Sequence, residues 1–341
     1  MIEDPNNSQN AKQPVATENE PTASSEESSA HEKELALGCW YLTGATASGK
    51  SDISIALAKR LDAEIISLDS MAIYRGMDIG TAKPSEENQA EAQHHLIDIV
   101  DPSETFSVSQ YRERALEAIK QIQSRGHQVL FVGGTALYLK ALLRGLFDGP
   151  PADWEFRKKI EAELADCDSE QLFIRLESVD PVSAHKLHRN DRRRIIRALE
   201  VYYQTGTPIS HWQTEFDDAT PEDQCKVFTV RHPREILHER IEERVNAMFA
   251  GGLVEEVEGL LERWGQLSHT AEQAVGYREA IEFLRGERDR EETIEKVLIR
   301  TRRFARHQET WFRGLAECRI VDIESPTEPG DIAERIFDLG K

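Results

Sequence analysis

The chain has 341 residues and carries 62 acidic side chains against 42 Lys and Arg, a formal charge of −20. That length allows one large or two ordinary domains, and the charge argues against a uniformly basic nucleic-acid binder. No apolar stretch is long enough to span a membrane, the N-terminus resembles neither a secretory signal nor a transit peptide, and four scattered cysteines (Cys39, Cys167, Cys225, Cys318) lack a C-x-x-C pair. A disulfide framework and a zinc site are therefore disfavoured, and the expected location is the cytoplasm.

In chain order, residues 1–36 are rich in Ser, Glu, Asn, Gln and Pro and poor in large apolar side chains. Such a segment cannot bury enough surface to offset chain entropy, which predicts a disordered acidic tail. Residues 1–37 hold eight acids and two lysines, so the remainder still carries −14. Within it, "RNDRRRIIR" (189–197) and "RTRRFARHQETWFR" (300–313) are locally basic. Local patches decide whether a bound polyanion is held, so charge leaves an RNA partner open.

The run "CWYLT" (39–43) reads as a buried strand, followed by "GATASGKS" (44–51) and a helix with Ile53, Leu57, Ala58 and Leu61 at helical spacing. The runs "EIISLD" (64–69), "HLIDIV" (95–100) and "QVLFVGG" (128–134) also read as strands. Between the last two, the spacing predicts a helix starting near Ser107, with Tyr111, Ala115, Ala118, Ile119 and Ile122 on its apolar stripe. This alternation implies an α/β fold: a parallel sheet of the phosphate-loop NTPase type, flanked by helices. At "FDGPPADW" (147–154) the pattern changes. Helical sequence then runs to about 220, before "CKVFTV" (225–230) restores β character. The expected organisation is a core from 37 to 148, a helical insertion over 149–222, a completion of the core with C-terminal helices over 223–324, and a last segment over 325–341.

The spacing G-x-x-x-x-G-K-S between strand and helix is built for an anion. Gly44 and Gly49 permit a backbone that turns successive N–H groups of Ala45, Thr46, Ala47 and Ser48 inward. The helix N-terminus adds its dipole, Lys50 a point charge, and Ser51 a hydroxyl for Mg²⁺. Any diphosphate satisfies these groups, whatever it is attached to. Asp69, at the end of the second predicted strand, lies on the sheet edge where ligands sit in such folds. It can act as a general base or merely cap the next turn. "VGGT" (132–135) ends another strand at that edge, with Gly133 and Gly134 letting backbone approach a ligand and Thr135 offering a hydroxyl. Arg192, Arg193, Arg194 and Arg197 can clamp phosphates or form a solvated helix face paired with Glu200. Arg240 and Arg244 share the i, i+4 spacing, with Glu242 and Glu243 between them as salt-bridge partners. His94 and His95 diverge on helix or strand and do not suggest a metal site.

Taken together, "GATASGKS", "SLDSMAIYRGMDIGTAKP" (67–84), "HHLIDIVDP" (94–102), "VGGTALYL" (132–139), "NDRRRIIRALEVY" (190–202) and "QAVGYRE" (273–279) resemble the tRNA isopentenyltransferase, or tRNA dimethylallyltransferase, family in order from about residue 38 to 314. The resemblance implies a prenyltransferase that moves a five-carbon group from dimethylallyl diphosphate to N6 of adenosine-37 in tRNA, with Mg²⁺ as cofactor. It implies that residues 44–51 with Arg240 and Arg244 hold the diphosphate, that Asp69 is the base, and that Thr46, Thr135 and Lys50 line the reaction centre. It further implies tRNA contacts from Asp69, Ser70, Met71 and Ala72 and from Arg193, Arg194, Ile195, Ile196 and Arg197, with the insertion gripping the anticodon stem-loop. The chain departs from the family's usual residues at Ala45, Ser51, Ala136 and, most consequentially, Ala72, where a Gln is common. A phosphate-loop kinase using Asp69 as base, and a non-catalytic tRNA-binding protein, are the competing readings.

Overall fold

A computed structural model describes residues 23–146, 149–150, 152–165, 169–212, 219–323 and 327–341. Residues 1–22 of the expected tail, the boundary expected near 148 and the one near 324 lie outside the described residues.

The first half of the core comprises α1 (Ala23–Leu37), β1 (Trp40–Gly44), α2 (Lys50–Leu61), β2 (Ala63–Ser67), α3 (Glu86–Glu91), β3 (His94–His95), α4 (Val108–Ser124), β4 (Gln128–Gly133) and α5 (Ala136–Arg144). The elements described in the insertion are helices: α6 (Trp154–Ala165), α7 (Ser169–Val179), α8 (Pro181–Lys186), α9 (Arg192–Thr205) and α10 (Ile209–Trp212). The chain returns through β5 (Lys226–Arg231) and then α11 (Arg234–Ala250), α12 (Leu253–Trp264), α13 (His269–Glu272), α14 (Tyr277–Leu284), α15 (Arg290–Arg313), β6 (Cys318–Asp322) and α16 (Pro329–Leu339).

The six strands form one parallel sheet in the order β3-β2-β4-β1-β5-β6. Because neighbours along a strand point to opposite faces, β1 sends Tyr41 to one layer and Trp40 and Leu42 to the other. The first layer holds Tyr41, Ile66, Val129 and Phe131 under α4 and α5; the second holds Leu42, Ile65, Leu130 and Phe228 under α2 and α16. The segment after 325 thus belongs to the core. A third apolar cluster joins Ile73, Tyr74 and Met77 to α11, α12, α14 and α15, and a fourth belongs to the insertion alone. The insertion therefore has its own core.

Two expectations need correction. The tail does not run to residue 36: α1 begins at Ala23, and its last turn seats Ala36 against α4 and α5, with Leu35 and Leu37 beside it. Tyr41 donates to the Ala36 carbonyl over 2.8 Å, and Arg112 pairs with Glu32 at 2.8 Å. The run 95–100 is not one strand. Leu96 and Asp98 have φ of 59° and 55°, a left-handed backbone that no strand continues. The N–H groups of Asp98 and Ile99 instead bond to the carbonyls of Ala72 and Ile73, and Arg75 N–H reaches Val100 O. This apolar run backs the loop that follows β2.

Candidate active site

All six strands run the same way, so the residues following β1, β2, β4 and β5 emerge along one edge of the sheet. A cleft of about 850 Å³ opens there, between that edge, α11, α15 and the start of α9. Lys50, Asp69, Thr135, Arg193, Arg240 and Arg244 all face it.

The phosphate-loop side is built on the turn from β1 into α2. Gly44 has φ 148°, and a Cβ there would stand 2.6 Å from the Val230 carbonyl, so only glycine fits beside β5. Gly49 caps α2 with φ 81°, leaving the first N–H groups of the helix directed at the cleft. Lys50 Nζ donates to Ala45 O at 2.6 Å and to Ser48 Oγ at 3.3 Å, hooking back over the loop that it closes. Arg240 Nε donates to Ala47 O at 2.7 Å, Arg244 Nη2 to Thr81 O at 3.2 Å, and the His232 ring bonds Ser48 O at 3.1 Å. Burial, reinforced by Arg244 and opposed by Asp69, pushes the Lys50 ammonium down to about 7. Burial also lowers Arg244 and His232. Lys50, Arg193, Arg240 and Arg244 together outnumber the acidic groups in the cleft lining, a balance that suits a polyanionic ligand.

The opposite side follows β2. Asp69 Oδ1 accepts from Met71 N–H at 2.8 Å and from Ala72 N–H at 3.4 Å, so the capping reading is correct for one oxygen. Among the described residues Oδ2 accepts no hydrogen bond, so one oxygen caps the turn while the other is unengaged. Thr135 Oγ1 accepts from Ser70 N–H at 3.0 Å, which ties the two strand ends together. The paired glycines line the cleft, and packing behind them also requires that they lack side chains. A Cβ on Gly133 would lie 2.1 Å from Leu68 O, and one on Gly134 would lie 2.3 Å from Gln308 Nε2.

The stretch 71–84 is held as a rigid wall. Glu256 of α12 accepts the N–H groups of Asp78 at 3.0 Å and Ile79 at 2.7 Å, and Tyr277 donates to the same carboxylate at 2.5 Å. Gly80 presses on the Tyr277 ring, where a Cβ would stand 2.4 Å from Cε2. Lys83, almost fully buried, bridges Asp78 and Asp98. Ala72 is buried at the cleft wall and offers no side-chain hydrogen bond.

The arginine segment divides. Arg193 reaches the cleft beside His269, 3.4 Å from its Nε2, and Arg194 is exposed. Arg197 turns inward, donating to buried Glu200 at 2.6 Å and to Pro150 O at 2.7 Å, as the ion-pair alternative anticipates. Ile195 and Ile196 are not contact residues: they are 0% and 5% exposed within the insertion's core. Their side chains are the stripe that holds α9 on α7, which forces the neighbouring arginines outward.

Sequence reasoning missed Gln308 of α15. Buried at the back of the cleft, it accepts from Thr46 N–H at 2.8 Å and donates to Gly134 O at 2.9 Å. No local signal could have found these bonds, since their partners lie 262 and 174 residues away.

Comparison with known proteins agrees with this geometry. Residues 72–315 match the IPP transferase family. A tRNA dimethylallyltransferase of Rhodopirellula baltica is 49% identical over 84% of this chain and 89% of its own. One from Pelotomaculum thermopropionicum is 44% identical over 91% and 97%. Among solved structures, the tRNA isopentenylpyrophosphate transferase of Bacillus halodurans superposes with a TM-score of 0.63 at 36% identity, covering 89% of this chain and 96% of that one. A eukaryotic dimethylallyltransferase acting on tRNA superposes with a TM-score of 0.67 at 28% identity, covering 83% and 73%. The chain belongs to the IPP transferase family, alongside enzymes that are tRNA dimethylallyltransferases.

Proposed function

We propose that this protein transfers the dimethylallyl group of dimethylallyl diphosphate to N6 of adenosine-37 in the anticodon loop of cytoplasmic tRNA and releases diphosphate. The observation that carries the reading is the meeting of two halves in one cleft: a phosphate cradle with Lys50, and Asp69 with one oxygen free. The adenine amino nitrogen is a weak nucleophile because its lone pair is delocalised into the ring. Asp69 Oδ2 takes the N6 proton as the new C–N bond forms. The C–O bond of the allylic ester breaks, and its electron pair leaves with the diphosphate. The α2 N-terminus, Lys50, Arg240 and Arg244 oppose that growing negative charge. Thr135 keeps Ser70, and through it the Asp69 turn, against the end of β4. The target base must leave its stack to reach Asp69, and Arg193 and Arg194 meet the phosphates that flank it.

Mg²⁺ suits the donor set. Among the described residues no group of three or more His, Cys, Asp or Glu could hold a metal ion by itself. A hard cation that takes most of its oxygens from substrate phosphates and water needs only the Ser51 hydroxyl from the protein. Bound there, it would neutralise charge on the departing diphosphate.

The test is mass analysis of nucleosides from unmodified tRNA incubated with the enzyme, Mg²⁺ and dimethylallyl diphosphate. The expected product is one prenylated adenosine in the anticodon loop. Phosphoryl transfer from γ-labelled ATP to a small acceptor, without prenylation, would establish the kinase alternative instead.

A further inference from the structure

The geometry points to Gln308 as the positioning residue that fixes the distance between the donor cradle and the base. This inference rests on the reading of the site given above. The donor loop and the acceptor turn leave different strands, and β1 and β4 bond to each other only as far as Thr43 and Gly133. Beyond those residues the two loops have no ladder between them. Gln308 fills that gap from α15. Its amide oxygen takes the N–H of Thr46 in the cradle, and its amide nitrogen gives to the carbonyl of Gly134. Thr135 follows directly, and its hydroxyl holds Ser70 N–H next to Asp69. A continuous set of bonds thus runs from the cradle through one side chain to the base. The amide serves both ends, because one end needs an acceptor and the other a donor at a fixed spacing. Gly134 shows how close the contact is, since any Cβ there would collide with the Gln308 amide.

The Gln308 side chain lies at the back of the cleft with its amide oxygen and nitrogen taken up by Thr46 and Gly134, and it acts on the reaction through them. The consequence is kinetic. Misplacing reacting groups by about 1 Å costs on the order of 10²-fold in rate while leaving each substrate's own contacts in place. Gln308→Ala and the volume-matched Gln308→Met are therefore expected to lower kcat about 30-fold or more, with the KM for tRNA and the Kd for dimethylallyl diphosphate changed less than threefold. Gln308→Glu keeps the acceptor but sets a carboxylate against Gly134 O, so it should fall at least as far.

The series includes Asp69→Asn and the double variant with Gln308→Met. Because Gln308 acts partly through Asp69, the double variant should lose less than the product of the two single losses. The inference is overturned if Gln308→Met turns over within threefold of the parent, if its losses appear as weakened binding of tRNA or donor, or if the two losses multiply in full. If Asp69→Asn itself turns over like the parent, the reading of the site fails, whatever Gln308 does.

Discussion

Asp69 divides its two oxygens between structure and chemistry. Oδ1 holds the turn through Met71 and Ala72, and in the proposed reaction Oδ2 is the oxygen that would take the proton. Asp69→Asn keeps an oxygen for the turn and loses the basic lone pair. Turnover should fall about 10²-fold or more, with donor affinity kept, as measured by single-turnover kinetics and equilibrium binding. Lys50 makes a second prediction. With its ammonium pushed down to about 7, it is largely neutral above that pH when the cleft holds no anion. A bound diphosphate favours the charged form and raises the pKa again. Donor affinity should therefore be highest below about pH 7 and weaken as pH rises, by up to tenfold per unit. Calorimetry at pH 8 in two buffers of different ionisation heat should find uptake of close to one proton per donor bound. Uptake of none would refute the lysine's role.

At the scale of elements, the turn after β4 depends on two residues that have no side chain. Gly133→Ala forces its methyl into the Leu68 carbonyl, and neither strand end can yield without moving Asp69. The expected cost is about 2–4 kcal/mol, seen as a fall in the melting temperature together with lost activity. The first helix is the other test. Truncation before residue 23 should leave the melting temperature unchanged. Truncation before residue 39 removes Leu35, Ala36 and Leu37 from the face of α4 and α5 and should lower it by several degrees. α1 was not legible because its composition is that of a solvated segment, and the residues described against the core, Leu35, Ala36 and Leu37, lie in its last turn. The strand–loop–helix at 40–61 was legible because every signal in it is local: an apolar run, two glycines at fixed spacing, a helical stripe. The run 95–100 misled for the same reason, since Leu96 and Asp98 adopt their left-handed backbone only to satisfy a loop more than 20 residues earlier. Ile195 and Ile196 illustrate the opposite case. Helical periodicity alone places them in a core, and carrying over a contiguous segment hid that.

For the whole molecule, the parallel order of the sheet was implied by alternating strands and helices, and it brings Lys50, Asp69 and Thr135 to one edge. The bracing behind that edge was not implied. Glu256 to Ile79, Tyr277 to Glu256 and Gln308 to Gly134 each join parts of the chain that meet only in the folded state. The same arrangement separates charge. Cations crowd the cleft while the full chain carries −20. Far away, an approaching polyanion meets repulsion; within a few ångströms it meets attraction. Dissolved ions weaken the distant force at concentrations that still spare the close one, because screening grows with separation. The tRNA association rate should therefore rise and then fall as potassium chloride is increased, with its maximum at a moderate concentration. Stopped-flow fluorescence would show that peak, whereas a steady decline from the lowest salt would mean that the outer acidic surface is not felt.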